Sequence, residues 1–194
     1  MKEKELNTFC PVNQQQWRAW LAEHHDKEMS VWLIYYKKKS ATPTLTWSEA
    51  VDEALCFGWI DSLAKPLDEE RYMQFFSRRK AKSVWSKINK DKIQRLTEEG
   101  LMMPAGIVSV ETAQKNGSWT IMDDVEALIV PADMEEEFRK RPDVKSYFLN
   151  LSKSNKRYIL QWLVMAKRPE TRLKRIAEVI AQADQNMQRR ESKG

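Results

Sequence analysis

At Gly58 the hydrophobic period of this chain changes from that of a helix to that of a strand. Upstream, Thr46-Trp47-Ser48-Glu49 has the form of a capping box, in which the Thr46 hydroxyl takes an orphan N–H and Glu49 reaches back. The spacing predicts a helix from there to about Phe57, with Ala50, Val51, Ala54 and Leu55 turned inward. Gly58 accepts the left-handed conformation in which helices end. Downstream, residues 59–65 read as a strand, 66–70 as a hairpin connection and 71–77 as the antiparallel partner. Met73 and Phe75 share one face of that second strand. A helix feeding a strand pair excludes a purely helical or purely β fold.

The rest of the chain divides by the same test. Asn13 caps a helix to about His25, with Trp17, Trp20, Leu21 and His24 at helical spacing. Residues 30–37 read as a strand apolar on both faces, suited to a central position, and 37–43 as a loop. Ser86 or Ser83 opens a helix with Trp85, Ile88, Ile93 and Leu96 on one face, ended by Gly100. Pro104 suits the first turn of a short helix at 107–115, closed by Gly117. Residues 118–124 are a link, and 125–130 are open between a short strand and a helical turn. After Pro131 everything reads as helix, at 132–141, 143–150, 154–168 and 170–187, broken at Pro142 and Pro169. In the last helix Leu173, Ile176, Ala177, Ile180 and Ala181 form a stripe, and the polar tail after Gln185 is expected to fray. The expected fold class is α+β: a small antiparallel sheet flanked by helices, followed by a small C-terminal helical bundle. The expected domains are residues 1–122 and 123–194, the second packed on the first.

With 194 residues, 42% of them apolar, and eight tryptophans, core material is ample. Residues 1–5 are charged with no apolar segment after them, and no run of 18 apolar residues occurs. These points predict a cytoplasmic protein without membrane insertion, and reduced thiols at Cys10 and Cys56 in preference to a disulfide. The net charge of +5 is mild, but it is segregated. Residues 78–92 carry seven Lys/Arg against one Asp, residues 123–143 eight Asp/Glu against three Lys/Arg, and residues 153–175 eight Lys/Arg against one Glu.

Three places carry chemistry worth weighing. Cys56 is either a nucleophile activated by His24 or His25 or, more commonly for a thiol between Leu55 and Phe57, a buried inert group. Two adjacent histidines point apart on a helix, which leaves too few ligands for zinc and predicts no metal; no cofactor motif is present. Asp61 stands in apolar surroundings and needs a partner, Lys65, Arg71 or Arg79. With one of them it forms either the polar floor of a pocket or a structural ion pair. Finally, Arg78, Arg79, Lys80 and Lys82 precede a helix start near Ser83–Trp85, which favours an anion site with Trp85 as a stacking face and Ser86 and Asn89 at its edge. The bland alternative is a solvated loop with Trp85 in the core.

Four blocks in order resemble one known family. They are Ala54-Leu55-Cys56-Phe57-Gly58-Trp59-Ile60-Asp61-Ser62, then Phe76-Ser77-x-Arg79-x-x-x-Ser83-x-Trp85-Ser86-x-x-Asn89, then Leu96-x-x-x-Gly100-x-Met102-x-Pro104-Ala105-Gly106. The last is Ala166-Lys167-Arg168-Pro169-Glu170-Thr171-Arg172-x-x-Arg175-Ile176. Together they look like the YdeI/OmpD-associated (bacteriocin-protection, OmdA-type) family, from about Trp17 to Ile180. The resemblance implies a stress or envelope-protection context and carries no catalytic residues over. The expected function is a non-catalytic binding module for a small anionic or peptide ligand, with Trp59, Asp61, Arg79, Ser83, Trp85 and Asn89 as binding residues. The alternatives are a nucleic-acid-binding protein using residues 78–92 and 153–175, and an enzyme using Asp61 or Cys56. For Arg172 and Arg175, a solvated face or docking against the acidic segment 123–143 competes with a nucleic-acid surface.

Overall fold

The computed structural model describes residues 6–42 and 44–192; the charged opening at 1–5 and Pro43, the end of the expected loop, lie outside them. The chain divides into two compact units, Met1–Trp119 and Thr120–Gly194. Its class is α+β: one four-stranded sheet and nine helices among the described residues.

The first unit runs β1 (Thr8–Phe9), α1 (Gln14–His24), β2 (Ser30–Tyr36), α2 (Trp47–Cys56), β3 (Trp59–Pro66), β4 (Arg71–Arg78), α3 (Lys87–Glu98) and α4 (Pro104–Lys115). The strands lie in the order β1-β2-β4-β3, antiparallel except for β1 along β2. A two-residue strand has no period to detect, so β1 was not foreseeable. The capping box at Thr46 forms with both of its bonds, and Gly58 takes φ +73° at the end of α2. Asn13 and Ser86 cap α1 and α3 through their side chains. Trp17 and Leu21 of α1 and Ala50, Ala54 and Leu55 of α2 join Val31, Leu33, Tyr35 and Phe76 of the sheet in one core. The Trp17 indole N–H donates to Ala50 O at 3.0 Å, tying the two helices together.

Met73 and Phe75 share a face of β4 as expected, and the buried face is the other one, with Gln74 and Phe76; Phe75 lies half-buried beside Trp32. Apolar residues occupy both faces of these strands, so alternation alone does not select the inner one. The helix after residue 86 begins at Lys87. Trp85 precedes it in the core, and Ile88 is 62% exposed.

The second unit is helical: α5 (Asp123–Glu126), α6 (Ala132–Lys140), α7 (Pro142–Leu149), α8 (Lys153–Val164) and α9 (Pro169–Glu191). Of residues 125–130, the first two end the one-turn helix α5 and the rest form a turn and an irregular link, so no strand forms there. The helix expected to reach 168 stops at Val164, well before Pro169. In α9 the buried positions are Ile176 and Ala183, while Leu173 is 66% exposed and Ala177 is also exposed. The stripe therefore continues down the helix instead of starting at Leu173. The tail expected to fray after Gln185 stays helical to Glu191. Met134, Phe138, Val144, Phe148, Leu160 and Leu163 are buried within the unit. Around them run ion pairs of Arg157 with Glu126, Arg172 with Asp133, and Arg141 with Asp184.

Candidate functional site

The turn at Gly58 brings four segments of the first unit round one cleft of about 340 Å³. The end of β4 supplies Arg78, Arg79 and Lys80; the end of α1 supplies His25 and Asp26; α4 presents Ser109 and Thr112 one turn apart. Trp59 forms its floor, fully buried, with its indole N–H donating to His25 O at 3.2 Å. A side chain at Gly58 would press on this wall: besides the positive φ, a Cβ would sit 2.9 Å from Ala105 O.

Arg79 is the unusual member. Its backbone N–H donates to Gly58 O at 2.9 Å, continuing the strand pairing past β3. Its guanidinium carbon lies 3.5 Å from the centroid of Trp85, and Nη1 donates to Val84 O at 3.1 Å. Nε is shut off from solvent without a hydrogen-bond partner among the described residues. No carboxylate among the described residues comes within ion-pair distance of it. Burial pushes the guanidinium down to about 10, against a smaller upward pull from the Asp61 charge. At neutral pH it is still a cation, one that has lost hydration without gaining a counter-ion.

The six expected binding residues do not share one wall. Trp59 and Arg79 line the cleft. Trp85 is 1% exposed, packed between Arg79 and Trp119, and offers no open face for stacking; this corrects its expected role. Ser83 closes a turn, its Oγ accepting the Lys80 N–H at 3.2 Å. The Asn89 N–H donates to the Ser86 hydroxyl as part of the α3 cap. The helix start lies at residues 86–89, beyond the Ser83–Trp85 segment expected to form it. Asp61 accepts from Trp47 Nε1 at 2.9 Å and Gln74 Nε2 at 2.8 Å. Its expected cationic partners go elsewhere: Arg71 pairs with Asp68, and Lys65 lies over Trp32. His25, Ser109 and Thr112 were not foreseen as cleft residues. Ser109 and Thr112 carry the one available signal, hydroxyls three apart on α4.

The other readings meet specific geometry. Cys56 is fully buried, and burial pushes its thiol up to about 11 despite a hydrogen bond from Arg18. His24 and His25 turn their Nδ1 atoms to backbone oxygens of their own helix, Trp20 O and Leu21 O. Nothing here makes a thiolate. Both cysteines are free. Native protein should therefore expose one thiol to a disulfide reagent at pH 8, that of Cys10, and yield the second only on unfolding. Two fast-reacting thiols in the native state would refute this account of Cys56.

The basic segments are largely used internally. Arg78 donates to Glu28 O, Lys92 pairs with Asp52, and Lys87 with Asp91. Arg172 meets Asp133 of the acidic segment, as Arg157 meets Glu126, whereas Arg175 turns to Trp162, donating to its O; docking on the acidic segment forms for Arg172 and not for Arg175. No helix among the described residues is long and apolar enough to cross a membrane.

The profile of a family described as "Domain of unknown function (DUF8412)" matches residues 9–109. A second profile, described as "Bacteriocin-protection, YdeI or OmpD-Associated", matches residues 127–186. No curated protein and no solved structure matches the chain. The first three sequence blocks fall within the first match, and the last within the second.

Proposed function

For a chain that belongs to this family of unknown function over its first unit and is related to the YdeI or OmpD-associated family over its second, we propose a non-catalytic binding role. The ligand is a small anionic molecule or the anionic group of a peptide, held in the cleft floored by Trp59. The observation that carries this reading is the Arg79 guanidinium: half-buried, protonated, without a counter-ion among the described residues, and with Nε shut off from solvent and lacking a partner. A buried cation without a counter-ion is costly, and an incoming carboxylate or phosphate would relieve that cost. Arg78 and Lys80 on the rim add positive charge against one carboxylate, Asp26, and Ser109 and Thr112 add hydroxyl donors. The volume suits a ligand of metabolite size. Trp85 is the bed on which Arg79 rests and Ser83 holds the turn at Lys80, while Asp61 and Asn89 bond outside the cleft. The cytoplasm and a bacteriocin-tolerance context belong to the same proposal; the latter rests on the family description alone.

The test is a thermal-shift screen of phosphate, carboxylates, nucleotides and short acidic peptides on the whole chain. A ligand at a hundred times its Kd should stabilise by about 2.7 kcal/mol, a shift of several degrees. Lys80→Ala, at an exposed position, should weaken the effect, and Arg79→Lys, which keeps the charge but loses Nε–H and the planar fork, should remove most of it. A panel in which every stabilising anion acts equally on wild type and on Arg79→Lys would refute the assignment.

A further inference from the structure

The second unit contains a cavity of its own, about 340 Å³, between α7, α8 and α9. Its floor is apolar, with Val144 and Phe148 buried. One wall is aromatic: Tyr158 and Trp162 stand four residues apart on α8, on one helix face. The opposite wall is polar: Glu178 and Gln182 stand four apart on α9. Tyr158 is 72% exposed, an unusual state for a tyrosine beside an apolar floor.

The lining of this groove differs in charge from that of the cleft in the first unit, which is mainly cationic. Glu178 is the one Asp, Glu, Lys or Arg in the lining among the described residues. Its nearest cation, Lys174 Nζ, is 3.9 Å away, and both side chains are largely exposed, at 79% and 49%, so the pair is loose. Trp162 already accepts a cation within the chain: the Arg175 guanidinium carbon lies 5.0 Å from its ring centroid, anchored by a bond from Nη1 to Trp162 O. Aromatic rings carry negative faces, and rings combined with a carboxylate over an apolar floor recognise organic cations.

We propose that this groove binds a small organic cation, an alkylammonium group attached to an apolar body. The ammonium head lies against the Tyr158 and Trp162 rings within reach of the Glu178 carboxylate, and the apolar body rests on Val144 and Phe148. The site is independent of the anion cleft, lies in the other unit, and stands or falls separately.

The probe is benzyltrimethylammonium, titrated calorimetrically into the whole chain, with benzyl alcohol as the uncharged counterpart and phenylacetate as the anionic one. The cation should bind about tenfold more tightly than either. Glu178→Gln should weaken the cation about tenfold and leave benzyl alcohol unchanged, and Tyr158→Ala should weaken the cation by a similar factor. Both positions are exposed, so the variants keep the fold, as circular dichroism will verify. Lys174→Ala should strengthen cation binding by removing the competitor, and Arg79→Lys should leave it unchanged. The proposal is overturned if phenylacetate or benzyl alcohol binds as well as the cation, if Glu178→Gln has no effect, or if the cation does not bind at tens of millimolar. Loss of cation binding in Arg79→Lys would also overturn it, by moving the site to the first unit.

Discussion

Trp85→Ala should lower the stability of the first unit by about 3–5 kcal/mol, the usual loss when a large buried aromatic is truncated. The indole is 1% exposed, its centroid lies 5.0 Å from that of Trp119, and the Arg79 guanidinium rests on it at 3.5 Å. Truncation opens a cavity and removes the bed of a buried cation at the same time. The loss should therefore sit at the upper end of the range. Trp85→Phe keeps a ring under Arg79 and should recover more than half of it. Urea unfolding followed by circular dichroism reads both values. Anion-dependent stabilisation should fall in the alanine variant even at temperatures where it remains folded. A loss below about 1 kcal/mol, ordinary for a surface change, would show that Trp85 is not a core anchor.

Gly106→Ala should cost about 3 kcal/mol or more, an overpacking penalty that no side-chain rotation relieves. A Cβ there would sit 2.2 Å from Cys56 O and 2.8 Å from Leu55 O, both backbone atoms at the end of α2. The Met103 N–H, just before α4, donates to the same Cys56 O at 3.1 Å, so the two helix ends are fixed against each other. The sign makes the experiment sharp. Glycine inside a helix normally costs about 1 kcal/mol relative to alanine, so an unconstrained Gly106 would be stabilised by the change. Thermal unfolding distinguishes the two outcomes, and a stabilised Gly106→Ala variant would refute the close approach of α4 to α2. Val108→Ala, two residues on and 59% exposed at Val108, should change little.

Much of the architecture was legible because it rests on local rules. The Thr46 capping box, the Gly58 stop, the Asn13 and Ser86 caps and the proline breaks need only a few neighbouring residues, and each acts in the structure as its chemistry predicts. The errors cluster where a choice between equivalent faces had to be made. Strands apolar on both sides left open which face of β4 is the inner one, and packing selects that of Gln74 and Phe76. In α9 several apolar residues fit a helical stripe, and only packing selects Ile176 and Ala183 over Leu173. Charge was the most misleading guide. The runs at 78–92 and 153–175 look like surfaces for polyanions, yet Lys92, Arg157 and Arg172 are each matched by a carboxylate of their own unit.

By itself, the sequence determined the class of fold, the place where helix gives way to sheet, most helix limits and the kinship of the last third of the chain. These follow from periodicity, capping and short motifs, which act within a few residues. Only the tertiary structure decided which face of each element is inside and which cations keep a free charge. It buried Trp85, turned Asp61 toward Trp47 and Gln74, and left Arg79 without a counter-ion at the edge of a cleft. The physical reason is that burial and charge pairing depend on residues far apart in the chain. The Arg79 cleft takes residues from β3 and α4 and from the chain just after α1 and at the end of β4, and no local pattern records that they meet.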